Sequence, residues 1–277
     1  MNNFAEFLQL PAIAVICELN PPHFGHKRLF ENARKRLFEA TGVENAPIIC
    51  VMSGNFVQRG EPAVFPKLPR AAAAIKMGAD LVVQLPTASA LSSAEDFALG
   101  AAALVHALGA EYLAFGSESG DLGAMTAAAD ALDAPECGGL IRSALKSGQS
   151  YPRALTYAAE SLSPGAERIL SAPNDMLGAE YIRALRRLCA GTLPLVLLRT
   201  AGVSSKALRE ELRSGGAARA SLPPETREFF GGAQPIFAEN LEMAMLSRLR
   251  DADEARFFAA TGGGDGVAQR AVRAVRR

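Results

Sequence analysis

Tryptophan is absent from this 277-residue chain, aromatics make up 6%, and histidine occurs only three times. Four cysteines, Cys17, Cys50, Cys137 and Cys189, lie far apart with no CxxC spacing. That argues against a zinc site and for small buried hydrophobes in a reducing compartment. No apolar run reaches the roughly 18 residues that read as a membrane span. The N-terminal "MNNFAEFLQLPAIAVIC" lacks a basic n-region and a small-residue cleavage site, so no secretory leader is expected. A cytoplasmic protein is the expectation. Lys plus Arg balances Asp plus Glu at 29 each. No global charge signal therefore points to nucleic acid, although a local basic patch stays open.

What is present is a chain 49% hydrophobic, enough for one large domain or a domain with an appendage. Abundant Ala and Gly suit close packing of helices on a sheet. Short apolar runs read as strands: "AIAVIC" (12–17), "PIICVM" (47–52), "DLVVQL" (80–85), "EYLAFG" (111–116) and "LPLVLL" (193–198). Helical patterns fall between them, at 26–40, 69–78 and 92–109, and over "NDMLGAEYIRALRRLCAG". In the first, Leu29, Ala33, Leu37 and Phe38 are near helical spacing. In the third, Ser92 or Ser93 can cap, and Glu95 has capping-box spacing from Ser92. In the last, Asn174 or Asp175 can cap the start and Gly191 can end it. His106 lies in the alanine-rich third helix and reads as structural.

Strands alternating with helices predict an α/β fold, a Rossmann-like doubly wound parallel sheet. The expected division is one α/β domain over 1–214, then a linker and a short helical C-terminal region over 215–277. There "ENLEMAMLSRLRDADEARFFAA" reads as one helix and "VAQRAVRAVRR" as another.

Two of the three histidines fall in "NPPHFGH", directly after the first strand. Ligands of open α/β sheets bind at the carboxyl ends of strands. Gly25 permits close approach of a ligand to the backbone, and the following helix favours an anion at its N-terminus. His23 and His26, three apart, can both donate to one phosphate group. They are the candidate catalytic residues, stabilising charge on a transferring phosphoryl group. Turn capping or a two-histidine metal site are the alternatives, and only Glu18 stands near enough to support a metal. The loop "SGNFVQRGEPAVFPK" leaves the second strand. Its Ser53, Gln58, Arg59, Glu61 and Lys67, with Arg70 beyond, are candidates to contact substrate.

"NPPHFGH" resembles the HxGH motif of the nucleotidylyltransferase superfamily. The stretch from Val51 to Pro86, then "FGSESGD", "PNDMLGAEYIRAL" and "VSSKALREEL" in that order, is similar to the bacterial tRNA(Met) cytidine acetate ligase family. The resemblance runs from about residue 12 to 213 and continues more weakly through the "ENLE" helix. It implies ATP-dependent activation of acetate as acetyl-adenylate and acetylation of the wobble cytidine of elongator tRNA(Met). It further implies an ATP site lined by Ile16, Cys17, Glu18, Leu19, Asn20, Pro21, Pro22, His23, Phe24, Gly25, His26, Lys27, Arg28 and Leu29. Gly116, Asn174 and Arg199 match its other ATP-contacting positions. Ser204, Ser205 and Arg209 match a Ser-Ser signature that touches phosphates. Gln58, Arg59, Lys67, Arg70 and Ser53 would face the adenylate or the tRNA. Mg²⁺ is expected to accompany ATP on its phosphates, with no metal ligand assigned to the protein.

Two departures stand out. The family's Tyr-His-Asp element has no counterpart after Arg199, and family chains run longer at the C-terminus, so a shortened member is expected. Arg270, Arg273 and Arg276, with Arg277 beside them, would form a basic stripe on a helix. Two other functions stay open: a nucleotidylyltransferase acting on a small phosphorylated metabolite, and a non-catalytic ATP- or RNA-binding relative.

Overall fold

The computed structural model describes residues 10–199, 202, 204–216, 221–251 and positions 255, 259 and 274, apart from the side chain at 59. The arginine stripe near the C-terminus and the helix expected there lie outside the described residues, as does the Arg59 side chain.

Five strands form one parallel sheet in the order β3-β2-β1-β4-β5: β1 Ile13–Cys17, β2 Ile48–Ser53, β3 Leu81–Leu85, β4 Tyr112–Ser117 and β5 Leu193–Leu198. Each expected strand is present within about a residue at either end. Register pairs Val15 with Cys50 and Ala114, and Ala114 with Leu195. Side chains alternate across the pleat, so one strand feeds two cores. Ala14, Ile16, Ile49, Val51, Leu113 and Phe115 enter one face. Ile13, Val15, Ile48, Cys50, Met52 and Ala114 enter the other.

Helix α1 (Phe24–Thr41) and α2 (Lys67–Lys76) cover the second face, burying Phe30, Ala33, Leu37 and Ala74. The stripe of α1 is centred on Phe30 rather than Leu29, and Phe38 is half exposed. The short α3 (Thr87–Ala90) leads into α4 (Ala94–Ala107), which lies on the first face with α5 (Leu122–Asp133). Ser93 caps α4 by accepting from the Asp96 N–H. Glu95, expected to complete a capping box, pairs instead with Arg187 at 2.6 Å.

Helices α6 (Cys137–Lys146), α7 (Tyr151–Leu162) and α8 (Ala166–Ser171) follow, then α9 (Pro173–Arg187) returns onto α4 and β4. Pro173 occupies the first position of α9, where its missing N–H costs nothing. Asn174 and Asp175 therefore lie inside the first turn and neither is the N-cap. The helix ends at Arg187 with Leu188 as C-cap, ahead of Gly191. After β5 comes α10 (Ser205–Arg213).

The chain separates into two compact units, residues 1–235 and 236–277. The seam is later than the boundary expected after residue 214. Residues 224–230 form a 3-10 helix that belongs to the first unit: Phe230 stacks on Phe65 at 4.7 Å, and Glu225 pairs with Lys27 at 2.7 Å. The second unit carries α11 (Ala238–Arg250), opened by an Asn240 side chain that accepts from the Phe237 N–H.

Candidate active site

The strand order reverses between β1 and β4, so the carboxyl ends of these neighbours frame the crevice where open α/β sheets bind ligands. The HxGH turn leaves β1 at that point. α1 begins at Phe24, two residues earlier than the expected helix start, with His23 as its N-cap and His26 at the third helical position.

The two imidazoles are held by the same device. His23 Nδ1 accepts from the Gly25 N–H at 3.0 Å, and His26 Nδ1 accepts from the His23 N–H at 3.2 Å. With Nδ1 occupied as an acceptor, each neutral ring carries its proton on Nε2. The rings lie 3.9 Å apart, and His23 Nε2 is 3.0 Å from Ser205 Oγ. Burial, reinforced by Arg199, pushes His23 down to about 4. Burial, then His23 and Arg199, hold His26 well below the usual histidine range. At neutral pH both rings are uncharged Nε2–H donors at the positive end of α1. Gly25 is required for this geometry, because a Cβ there would lie 2.7 Å from His23 Cε1.

The facing wall is the N-terminus of α10. Ser204 caps it by accepting from the Ala207 N–H, and Ser205 opens the helix opposite His23. Arg209 donates to the Asn20 carbonyl at 2.8 Å and latches α10 to the turn after β1. Two helix N-termini thus meet at one place, which is the electrostatic requirement for a polyphosphate.

The third wall comes from β4, β5 and α9. The Arg199 N–H donates to the Ser117 carbonyl at 2.8 Å, and its side chain runs along Gly116. Arg199 Nη1 reaches Asn174 Oδ1 at 3.4 Å. Gly116, Asn174 and Arg199 are therefore brought together, although 25 and 58 residues separate Asn174 from its partners in sequence. Sequence reasoning missed what holds them. Asp175, expected only as a possible cap, is buried and accepts from Ser117 Oγ and from the Glu118 and Ser119 N–H groups. In return the Glu118 carboxylate accepts from the Asn174 and Asp175 N–H groups at 3.1 Å, and from Asn174 Nδ2. The only sequence signal was an acidic residue following Pro173 in a first helical turn.

Other expected site residues are engaged elsewhere. In the run from Ile16 to Leu29, Ile16 and Leu19 are core, and Pro21 and Pro22 are buried. Asn20 is buried and accepts from the Val64 N–H. Glu18 accepts from the Gln58 N–H at 2.9 Å. Lys27 is drawn to Glu225, while Phe24 and Arg28 are exposed and Leu29 is half-buried. Cys17 Sγ lies 3.4 Å from Cys50 Sγ. That hydrogen bond, then burial, raises its thiol well above the usual range. Register offsets the two cysteines by two residues. Their Cα atoms are then about 8 Å apart, beyond the reach of a disulfide.

Arg70 is corrected most sharply. Expected to face substrate, it is completely buried and donates to the carbonyls of Phe65, Glu18 and Gly54. Burial lowers it to about 10, which leaves it cationic. Lys67 donates to Gln84 Oε1 at 2.6 Å. Ser53 is buried at the end of β2 with its hydroxyl unpartnered. Among the described residues, no group of three His, Cys, Asp or Glu could hold a metal ion, and no helix is long and apolar enough to cross a membrane.

A parallel sheet with an HxGH turn at its switch point, opposed by a serine-capped helix, is an architecture of the nucleotidyl transferase type. The model of the HIGH Nucleotidyl Transferase family matches residues 10–258. The tRNA(Met) cytidine acetate ligase of Acetivibrio thermocellus is 34% identical over 271 residues, covering 87% of this chain and 63% of that protein. The protein of the same name from Syntrophotalea carbinolica is 38% identical over 241 residues, covering 80% and 56%. A crystal structure of Thermotoga maritima TmcAL bound with alpha-thio ATP superposes with a TM-score of 0.86 at 32% identity, covering 96% of this chain and 67% of that one. The chain belongs to the HIGH nucleotidyl transferase family, in the group of the tRNA(Met) cytidine acetate ligases. It spans about three fifths of the length of those two curated relatives.

Proposed function

We propose that this site activates acetate with ATP and passes the acetyl group to the wobble cytidine of elongator tRNA(Met). An acetate oxygen attacks the α-phosphorus, and the bond to the bridging oxygen breaks to release pyrophosphate. The cytidine amine then attacks the acetyl carbon, loses a proton and expels AMP. The observation that carries the reading is the pair of neutral Nε2–H donors, His23 and His26, facing the Ser204–Ser205 helix start. Such donors can stabilise charge on the departing pyrophosphate without reorganising. Arg199, Asn174 and Gly116 would take the remainder of the nucleotide, and Arg209 would hold the Ser204–Ser205 wall in place. Mg²⁺ would ride on the phosphates of ATP and on water. The names of the relatives and the nucleotide in the Thermotoga protein support the same reading.

The test is exchange of labelled pyrophosphate into ATP, with and without acetate, in the wild type and in His23→Ala. Exchange should require acetate and should collapse in the variant. Tight ATP binding with no acetate-dependent exchange would sink the ligase reading. Transfer is tested separately, by acetylation of tRNA(Met) transcripts.

A further inference from the structure

We propose that Glu118 sets base selectivity in this site, by fixing the Asn174 amide so that the site takes a base with an exocyclic amine over one with an exocyclic oxygen. The inference rests on the reading of the crevice as an ATP site and extends it to a residue outside the nucleotide-contacting set.

The amide of Asn174 has two ends, and its neighbours decide which faces where. A carboxylate can only accept, so Glu118 Oε1 obliges the Nδ2 end to turn toward it. A guanidinium can only donate, so Arg199 Nη1 at 3.4 Å obliges Oδ1 to lie on its side. Both constraints agree, which makes the amide orientation a consequence of charge rather than of assignment. Glu118 is itself fixed, because its other oxygen accepts from the Asn174 and Asp175 N–H groups at 3.1 Å. Asp175 in turn grips the Glu118 and Ser119 N–H groups. The lock is therefore reciprocal: the turn after β4 caps α9, and α9 caps the turn.

Oδ1 lies on the same side as Arg199 and Gly116. A carbonyl oxygen has two lone pairs, and the long contact with Arg199 leaves one for a ligand donor. The N6 amine of adenine supplies that donor. An oxygen at the same position would set acceptor against acceptor, and sites built on a specific polar partner reject such analogues strongly. Glu118 is a positioning residue here, acting through Asn174.

ATP and ITP differ in the C6 substituent and in the proton that the oxo form carries on N1. The experiment is therefore calorimetric titration of both nucleotides with wild-type protein, Glu118→Gln and Glu118→Ala, and the change of ratio between variants isolates the part that depends on Glu118. Wild type should bind ATP at least roughly tenfold tighter than ITP, the worth of one hydrogen bond gained against one opposed. Glu118→Gln keeps an oxygen to cap α9, so its melting temperature should change little. Its new NH2 group lets the Asn174 amide turn over, and the ATP:ITP ratio should fall toward unity. Glu118→Ala should lose both the ratio and part of the stability. Equal weakening of both nucleotides, or an unchanged ratio in Glu118→Gln, would overturn the proposal. So would a wild type that does not distinguish ATP from ITP while acetate-dependent exchange persists, and then the ligase reading would stand alone. Binding of neither nucleotide by the wild type would remove both.

Discussion

Two polar segments leave neighbouring strands at the same edge of the sheet and come to opposite ends. After β1, the HxGH turn ties each histidine to the backbone through Nδ1 and leaves Nε2 away from that backbone, the His23 Nε2 lying 3.0 Å from Ser205 Oγ on the facing wall. After β2, the loop to α2 turns Arg70 inward and commits it to three backbone carbonyls. Residue type does not separate the two cases, since an arginine is as good a phosphate partner as a histidine. The separation lies in the backbone's own demand for partners. A short turn capped by its own side chains satisfies its N–H groups locally. A long loop folded over a sheet edge leaves buried carbonyls, and Arg70 supplies the donors they lack.

The contrast predicts its largest effect at Arg70. Arg70→Met should strip the donors from the carbonyls of Phe65, Glu18 and Gly54 at once. At about 1–3 kcal/mol for each of the three buried groups left unmade, the loss should be at least about 3 kcal/mol. Urea unfolding measures it. Arg70→Lys should recover little, because one ammonium cannot span three carbonyls. A folded Arg70→Met with native stability and no nucleotide binding would erase the distinction between the two segments.

His26→Ala should show the reverse profile. Pyrophosphate exchange should fall about 100- to 1,000-fold, as when one preorganised donor is lost. Unfolding free energy should drop by only about 1 kcal/mol, for the capping bond to the His23 N–H. If stability collapses while exchange per folded molecule survives, His26 belongs with Arg70.

How much of this was legible depends on the distance over which each choice is made. The strands announce themselves as apolar runs bounded by polar residues, and the HxGH turn is readable because its geometry is settled within four residues. Helices α5 to α8 gave no such signal. Their buried positions include Ala128, Ala129, Ala144, Ala154, Ala158, Ala159 and Ala166, which differ too little from exposed alanines to mark a face. The start of α9 is not readable locally, because Asn174 and Asp175 are both good caps. The proline before them and the carboxylate of Glu118, 57 residues from Asp175, decided otherwise. Arg70 reaches Glu18 across 52 residues, so nothing local distinguishes it from a surface arginine. Long-range partners assign roles, and periodicity carries no record of them.

Titration sharpens the histidine side of the comparison. His23 has a folded value of about 4 against about 6.5 unfolded. Between those values the unfolded chain binds more protons, so stability contributed by the neutral ring is complete above pH 6.5 and is lost as pH falls toward 4. His26, lowered in the same direction, adds to the slope. His23 alone should account for a loss on the order of 3 kcal/mol across that window. His23→Gln keeps an acceptor for the Gly25 N–H but does not titrate, so its stability should fall less steeply. Melting curves from pH 4 to 7 compare the two. Equal slopes would mean that the His23 ring takes up its proton as readily in the folded protein as in the unfolded chain.

The smallest effects separate two glycines that look alike in sequence. A Cβ at Gly25 would meet His23 Cε1 at 2.7 Å and Nδ1 at 2.8 Å. That ring is held from both ends, by the Gly25 N–H and by Ser205, so it must leave its place. Gly25→Ala should therefore weaken ATP binding about tenfold, the worth of one charge-assisted hydrogen bond to phosphate. A Cβ at Gly116 would meet Arg199 Cγ at 3.1 Å. The Arg199 side chain is exposed and unbranched, and a shift of a few tenths of an ångström relieves the contact. Gly116→Ala should cost about threefold in affinity at most, read in the same titration. A larger loss at Gly116 than at Gly25 would mean that the β4 wall, and not the histidine turn, is the rigid side of the crevice.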